Sequence, residues 1–202
     1  MPVVDNKGAN NNDESKSTKN RDKLRNSTRI ALSGILCSLA VLMMFMTGLL
    51  PFFQYALPAM SGLFIVIIVL ENNFSTGVVA YFATSIIVFL LSPDREAAIL
   101  YIMFFGHYGI VKSKIDLLSS KILKIILKLL TFNVSIITAY YLISLIFGLD
   151  YIMDAFGGFG KYSLLIMLLF GNIIFIVYDY AITNMIFAYN HVIRPKYLGF
   201  LK

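Results

Sequence analysis

Charged residues are scarce in this sequence, and one long stretch has none. Asp, Glu, Lys and Arg make up 14% of the 202 residues, whereas 58% are hydrophobic. A soluble domain carries about 25% charged residues, but residues 30–70 contain no charge. A membrane-crossing helix needs about 20 apolar residues in succession. The composition therefore excludes an ordinary soluble domain and predicts an integral membrane protein of the all-α class.

Residues that bind metals or form disulfides are also rare. The chain has one cysteine, Cys37, and its two histidines, His107 and His191, lie far apart in sequence. One thiol cannot form an intrachain disulfide, and no Cys/His spacing typical of a metal site is present. HExxH, GxSxG and phosphate-binding glycine loops are missing as well. We therefore expect no metal, no cofactor and no enzymatic activity.

The apolar residues fall into six segments, which predict six transmembrane helices. They are residues 30–50, 54–70, 74–91, 97–111, 122–147 and 162–190. Pro51 separates the first two, because proline ends a helix. These segments form a predicted six-helix membrane domain at 28–194. The polar residues 1–27 predict a disordered basic cytoplasmic tail, and residues 195–202 predict a second, short cytoplasmic tail.

The basic residues indicate how the chain is oriented. If the amino terminus is cytoplasmic and six spans alternate, all but two of the 17 Lys and Arg residues lie inside. Only Arg95 and Lys161 then lie outside, as the positive-inside rule requires. We expect a multi-pass protein of the cell membrane with both termini cytoplasmic. The net charge of +6 is thereby explained without a nucleic-acid partner.

The stretch LSPDREA separates the third and fourth apolar segments. Pro93 ends one helix, Asp94 is suited to cap the next, and Glu96 lies near the positive end of that helix. The simplest interpretation is a solvated helix cap at an outward-facing turn. The alternative is that its charges belong to a binding site.

The stretch KSKIDLLSSKILKIILK, residues 112–128, carries several lysines at near-helical spacing. Lys114, Lys121, Lys124 and Lys128 share a face opposite apolar residues. This pattern predicts a basic amphipathic helix on the inner membrane surface, held by anionic lipid. A docking surface for a protein partner is the alternative.

Asp179 is the only acid well inside a predicted span, and His107 lies inside another, where an unpaired polar group is costly. Asp179 and His107 both belong to the inner half, so we expect them to pair with each other. Such a pair would be a structural tie between two helices. A proton relay, or an intramembrane enzyme that uses both groups, is the alternative.

Polar and aromatic residues in the outer half form a candidate solute site. Tyrosine at a membrane interface can also serve as an anchor alone, so this interpretation has a simpler competitor. Aromatic walls with a few polar groups are typical of small-molecule pockets. The candidate substrate-binding residues are Gln54, Asp94, Arg95, Glu96, Tyr101, Tyr140 and Asn172.

The stretch TRIALSGILCSLAVLMMFM, residues 28–46, resembles a known family. Its Arg-x-Ala-Leu start and its small residues on one stripe are similar to the first helix of substrate-binding S components of energy-coupling factor (ECF) transporters. That family has an Ala-x-x-x-Ala pattern there, whereas this chain has Gly34-x-x-x-Ser38 and Ser33-x-x-x-Cys37. Ala31 is followed four residues later by Ile35.

The resemblance implies a subunit that captures a solute from outside and docks on a membrane coupling subunit with ATPases. Ala31, Gly34 and Ser38 are the candidate docking residues, because small side chains let helices approach closely. Ordinary packing within the bundle explains the same residues equally well. A non-catalytic membrane scaffold, such as an assembly subunit of envelope machinery, is the competing function.

Overall fold

The computed structural model describes residues 7–147 and 163–193, and every element in this part of the chain is helical. The α-helices are α1 (Lys7–Met46), α2 (Ala56–Glu71), α3 (Phe74–Leu91), α4 (Arg95–Leu100), α5 (Gly106–Ile115), α6 (Lys121–Phe147) and α7 (Ser163–Ala188). A π-helical turn, Tyr101–Phe105, joins α4 and α5 into one rod, so residues 7–147 and 163–193 form six helical segments. A short 3₁₀ turn, Pro51–Phe53, precedes α2, and a π turn, Tyr189–Ile193, extends α7.

Four of these helices are long and apolar enough to cross a membrane, judged by length and composition. They are Asn26–Met46 within α1, Phe74–Leu91, Lys121–Phe147 and Leu168–Val192, with mean hydropathies between 1.4 and 2.0. Ala56–Glu71 is also apolar but is shorter. Four helices of this kind indicate a membrane protein, because a span needs about 20 apolar residues.

The first helix begins much earlier than the sequence predicted. Residues 7–27 were expected to be disordered, but α1 runs without a break from Lys7 to Met46. The physical reason is that residues 9–33 contain no proline or glycine. Extending an existing helix costs little per residue, and Lys, Arg and Glu favour helix. Residues 1–6 and the predicted tail at 195–202 lie outside the described part of the chain.

Neighbouring helices run in opposite directions, as contacts near their ends show. The Asn72 side chain after α2 donates to Ser33 Oγ near the start of the apolar part of α1, at 2.7 Å. Near the other end, Ser61 Oγ of α2 donates to the carbonyl of Ala40 at 2.9 Å. α2 packs against α1, α3 and α5, so this short helix lies at the centre of one side of the bundle. α6 packs against α4, α5 and α7 on the other side.

This alternation gives the molecule two ends, which we name by their residues. The basic end contains Arg29, the α2–α3 turn, and the α5–α6 connection. The turn end contains the α1–α2 connection and the α3–α4 turn at 92–94. At the turn end, the Asp94 carboxylate accepts from the Ala97 backbone N–H at 3.0 Å, so the predicted helix cap is confirmed.

The predicted amphipathic helix at residues 112–128 is wrong. Lys112 and Lys114 end α5, the backbone leaves the helix at residues 116–120, and Lys121 begins the 27-residue α6. The lysine spacing therefore spans two separate helices. Lys112 and Lys128 form ion pairs with aspartates of other helical segments. These ion pairs, rather than the lysine spacing along one helix, determine where the two side chains lie.

Candidate functional site

Asp179 of α7 is the centre of a charge cluster at the basic end. Its Oδ1 accepts from Tyr108 Oη at 2.7 Å and from Lys112 Nζ at 2.5 Å. Its Oδ2 accepts from Lys128 Nζ at 3.1 Å. Three donors from two other helical segments thus converge on one carboxylate, which compensates the cost of removing this charge from water.

Lys112 is the most deeply buried charge of the cluster, with 1% of its side chain exposed. Besides Asp179, it donates to Thr183 Oγ1 at 2.9 Å and lies 3.3 Å from an Asp116 oxygen. Asp116 also accepts from Lys128 at 2.8 Å. Two lysines and two aspartates therefore neutralise one another. We call Tyr108, Lys112, Asp116, Lys128, Asp179 and Thr183 the charge cluster.

A layer of aromatic rings lies against the charge cluster. Phe132 and Phe175 stack with ring centroids 4.7 Å apart, and Phe104 meets Phe132 edge to face at 5.2 Å. Tyr108 belongs to both groups, since its ring packs on Phe104 and Phe175 while its hydroxyl bonds Asp179. Tyr178 packs on the same rings. The space between α5, α6 and α7 is thereby filled at the basic end.

The predicted pairing of His107 with Asp179 is wrong. His107 lies between Ser135 Oγ and the Ile102 carbonyl, each 3.4 Å from a ring nitrogen. Adjacent residues on a helix point about 100° apart, so the rotation that turns Tyr108 toward Asp179 turns His107 toward α6. The sequence did not lead us to predict the observed partners of Asp179, which are Tyr108, Lys112, Lys128 and, through Lys112, Thr183. Lys128 offered a signal, because a lysine seven residues inside an apolar helix needs an anionic partner.

At the turn end, two of the candidate substrate-binding residues meet directly. Gln54 Nε2 donates to Glu96 Oε2 at 3.1 Å, and Tyr55 Oη donates to Oε1 of the same carboxylate at 3.4 Å. These contacts join the start of α2 to the start of α4. Asp94 is engaged as the cap of α4.

The other candidates have partners elsewhere. Tyr101 is fully buried, and its hydroxyl shares a hydrogen bond of 2.9 Å with Thr84 Oγ1. Asn172 exchanges two side-chain hydrogen bonds with Asn133, at 3.0 and 3.1 Å, and so ties α7 to α6. Tyr140 is half-buried on α6. The structure thus brings Gln54 to Glu96 but distributes Tyr101, Tyr140 and Asn172 among separate contacts.

A groove of about 380 Å³ opens at the turn end between α3, α4 and α6. Its described lining is Phe89, Leu90, Arg95, Ala98, Ile99, Ile146 and Phe147. Arg95 is the one charged residue in that lining, and its Nη1 donates to the Phe89 carbonyl. This groove, which we call the Arg95 groove, has the volume of a small-molecule site but opens along the apolar surface.

The candidate docking residues share one exposed face of α1. Ala31, Gly34 and Ser38 are exposed, and a Cβ added to Gly34 would meet no atom within 4 Å. Ser33, Leu36 and Ala40 are buried on the opposite face. Gly34 and Ser38 of the Gly34-x-x-x-Ser38 pattern are therefore exposed, whereas Ser33 of the Ser33-x-x-x-Cys37 pattern packs inside the bundle.

Comparison with family models, with characterised proteins and with solved structures finds no match to this chain. Within residues 7–147 and 163–193, no group of three or more His, Cys, Asp or Glu side chains is placed to hold a metal ion. The described features that bear on function are the charge cluster at the basic end, the Arg95 groove, and the exposed small residues Ala31, Gly34 and Ser38, which we call the uncovered stripe of α1.

Proposed function

We propose that this chain is the membrane-embedded solute-binding subunit of an ATP-driven uptake transporter, similar to the S component of ECF transporters. The six helical segments cross the cell membrane, with both termini in the cytoplasm. The basic end then faces the cytoplasm and the turn end faces outward. A solute is captured at the turn end and released through a partner that couples ATP hydrolysis to movement.

The observation that carries this proposal is the difference between the two ends. The basic end is filled by the charge cluster and by the aromatic layer beneath it. The turn end has a groove of about 380 Å³ with a guanidinium in its wall. A chain whose described residues fill the inner end and leave a groove at the outer end can capture a solute there but offers it no route inward. Transport therefore requires a partner that moves or opens the chain.

The uncovered stripe of α1 is the surface to which we assign that partner. Its small side chains, Ala31, Gly34 and Ser38, are exposed along about two turns of one helix. Without a hydrophobic driving force between helices in lipid, close approach of backbones supplies the association energy. A helix of the coupling subunit can make that approach here.

The distribution of charge supports the proposed orientation. Lys112, Lys114, Lys121, Lys124 and Lys128 all belong to the basic end, whereas Arg95 is the one basic residue of the described turn end. Cytoplasmic loops carry such an excess of lysine and arginine. The lysines at the basic end also favour contact with anionic lipid of the inner leaflet.

A non-catalytic membrane scaffold is the second candidate, and one observation favours it. Three of the predicted site residues form hydrogen bonds to other side chains of the bundle. Gln54 bonds Glu96, Tyr101 bonds Thr84, and Asn172 bonds Asn133. Such contacts serve packing rather than a solute. This function predicts protein partners without a bound solute, and it predicts that Arg95→Ala has no effect.

The test of the proposed function is a mild-detergent pull-down of the tagged chain from its native membrane, with partners identified by mass spectrometry. We expect recovery of a membrane coupling subunit together with two ATPases. Ala31→Leu places a bulky group on the stripe and is expected to abolish that recovery. Ala83→Leu is the matched control, because Ala83 is also exposed but lies on α3.

Recovery of envelope-assembly proteins alone, or of no partner, would overturn the uptake proposal and favour the scaffold. Equal loss of the coupling subunit in Ala31→Leu and Ala83→Leu would show that the uncovered stripe is not the docking surface. A thermal melt of both variants in detergent shows whether either change has simply unfolded the chain.

A further inference from the structure

We infer that the Arg95 groove binds an anionic amphiphile, with an acidic head group on Arg95 and an apolar chain along α3 and α6. This inference rests on the proposed function, because it names the chemical class of the solute that the turn end captures. The occupant enters from the outer leaflet beside the groove. Its acidic head group is a carboxylate or a phosphate.

The lining of the groove selects an apolar body. Six of its seven described residues are apolar, and Phe89, Leu90, Ile146 and Phe147 are exposed side chains on the last turns of α3 and α6. A solute rich in hydroxyl groups would lose its hydrogen bonds to water there without replacement, which is unfavourable. A hydrocarbon chain loses none.

Arg95 selects the charge of the head group. A guanidinium binds a carboxylate or phosphate through two parallel N–H donors. Within the described residues it makes one hydrogen bond, to the Phe89 carbonyl, although it carries five N–H groups. That bond fixes the guanidinium at the rim where α3 ends, at the level where an amphiphile's head group meets water.

The neighbouring acids do not compete for this cation. Asp94 accepts from the Ala97 N–H, and Glu96 accepts from Gln54 and Tyr55 on the α2 side. Neither acid contributes to the described lining of the groove. Among the described residues, Arg95 therefore has no anionic partner at the groove, and an anionic head group would supply one.

The absence of tryptophan from this chain provides the test. Phe147→Trp places a single fluorophore in the groove. Phe45→Trp places one at the turn end of α1 outside the groove, and the two phenylalanines are equally exposed, at 45% and 47%. Each variant is reconstituted in phosphatidylcholine vesicles that contain dibromostearate, whose bromines quench tryptophan on contact. The neutral methyl ester of dibromostearate is the second probe.

We expect dibromostearate to quench Phe147→Trp at a several-fold lower mole fraction than Phe45→Trp, and the methyl ester to quench both alike. Adding Arg95→Gln to Phe147→Trp should remove the preference. Equal quenching of the two reporters, or a preference that persists with the ester or with Arg95→Gln, would overturn the inference. Phe89→Trp is a second groove reporter and must give the same answer.

The outcome is separable from that of the pull-down. Recovery of a coupling subunit without selective quenching leaves the uptake proposal standing and refutes the ligand class. Selective quenching without a coupling subunit supports the ligand class and refutes uptake as its purpose.

Discussion

The two ends of this bundle both contain charged residues, but they use them in opposite ways. At the basic end, Lys112, Lys128, Asp116 and Asp179 pair with one another across α5, α6 and α7. At the turn end, Arg95 is exposed and bonds only a backbone carbonyl among the described residues. The first arrangement holds helices together. The second leaves a charge available to a ligand.

The difference shows where a charged side chain of a membrane protein can remain without an ionic partner. A lysine several residues inside an apolar helix must be neutralised, so its partners become part of the fold. A charge at a helix terminus remains in contact with water and has little effect on stability. Substitutions at the two ends should therefore separate into large effects on folding and small ones.

The largest effect is expected for Asp179→Ala. It leaves Lys112, which is 1% exposed, with Asp116 as its remaining acid, and removing one partner of a buried ion pair costs about 3–5 kcal/mol. Asp94→Ala is the matched change at the turn end, where loss of a helix cap costs about 1 kcal/mol. Reversible unfolding in detergent measures both.

Adding Lys112→Met to Asp179→Ala should recover much of the lost stability, because the uncompensated charge is then gone. Equal destabilisation by Asp179→Ala and Asp94→Ala would contradict the proposed contrast between the ends.

A smaller loss is expected for Gly62→Ala. An added Cβ would collide with the Phe105 backbone carbonyl of the π turn and approach Tyr178 Oη at 3.2 Å, and such overpacking costs about 1–3 kcal/mol. Gly34→Ala is the control, since its Cβ enters open space on the uncovered stripe and alanine favours helix. Reversible unfolding in detergent measures the stability of both variants. If Gly62→Ala stabilised the protein, α2 and the rod would not be in contact.

The next effect concerns the amide pair between α6 and α7. Asn133→Leu and Asn172→Leu, alone and together, form a double-mutant cycle. We expect a coupling of about 0.6 kcal/mol, the average for hydrogen bonds between transmembrane helices, and at most about 1.7 kcal/mol. Additive effects of the two substitutions would show that the two amides do not bond each other in the folded chain.

The smallest effect on stability is expected for Arg95→Gln. The side chain is exposed and its one described hydrogen bond is to the Phe89 carbonyl, so the free energy of unfolding should change by about 0.5 kcal/mol or less. The same variant should lose selective quenching by dibromostearate. A large loss of stability would assign Arg95 to the fold and not to a ligand.

Several local features were predictable because they depend on neighbouring residues alone. The third apolar segment, residues 74–91, coincides with α3, and the fifth, 122–147, differs from α6 by one residue. Asp94 caps α4 as its position before an apolar run indicates. Turn chemistry and hydropathy are local properties, so one sequence suffices to read them.

The partners of Asp179 were not predictable from depth alone. His107 and Lys112 lie on the same rod, and both were near enough in depth to Asp179. The rotation of that rod, which includes the π turn at Tyr101–Phe105, decides that Tyr108 and Lys112 face α7. A π turn adds a residue to one helical turn, and it leaves no simple mark in hydropathy.

The most direct test of the account is to label single cysteines on the two ends in intact cells. Phe52 and Leu117 are 97% and 77% exposed in the connections at the turn end and the basic end, and Cys37→Ala supplies a background without other thiols. A membrane-impermeant maleimide should label Phe52→Cys in intact cells and Leu117→Cys only after permeabilisation. Labelling of Leu117→Cys from outside, with Phe52→Cys protected, would place the closed end outward and contradict the account.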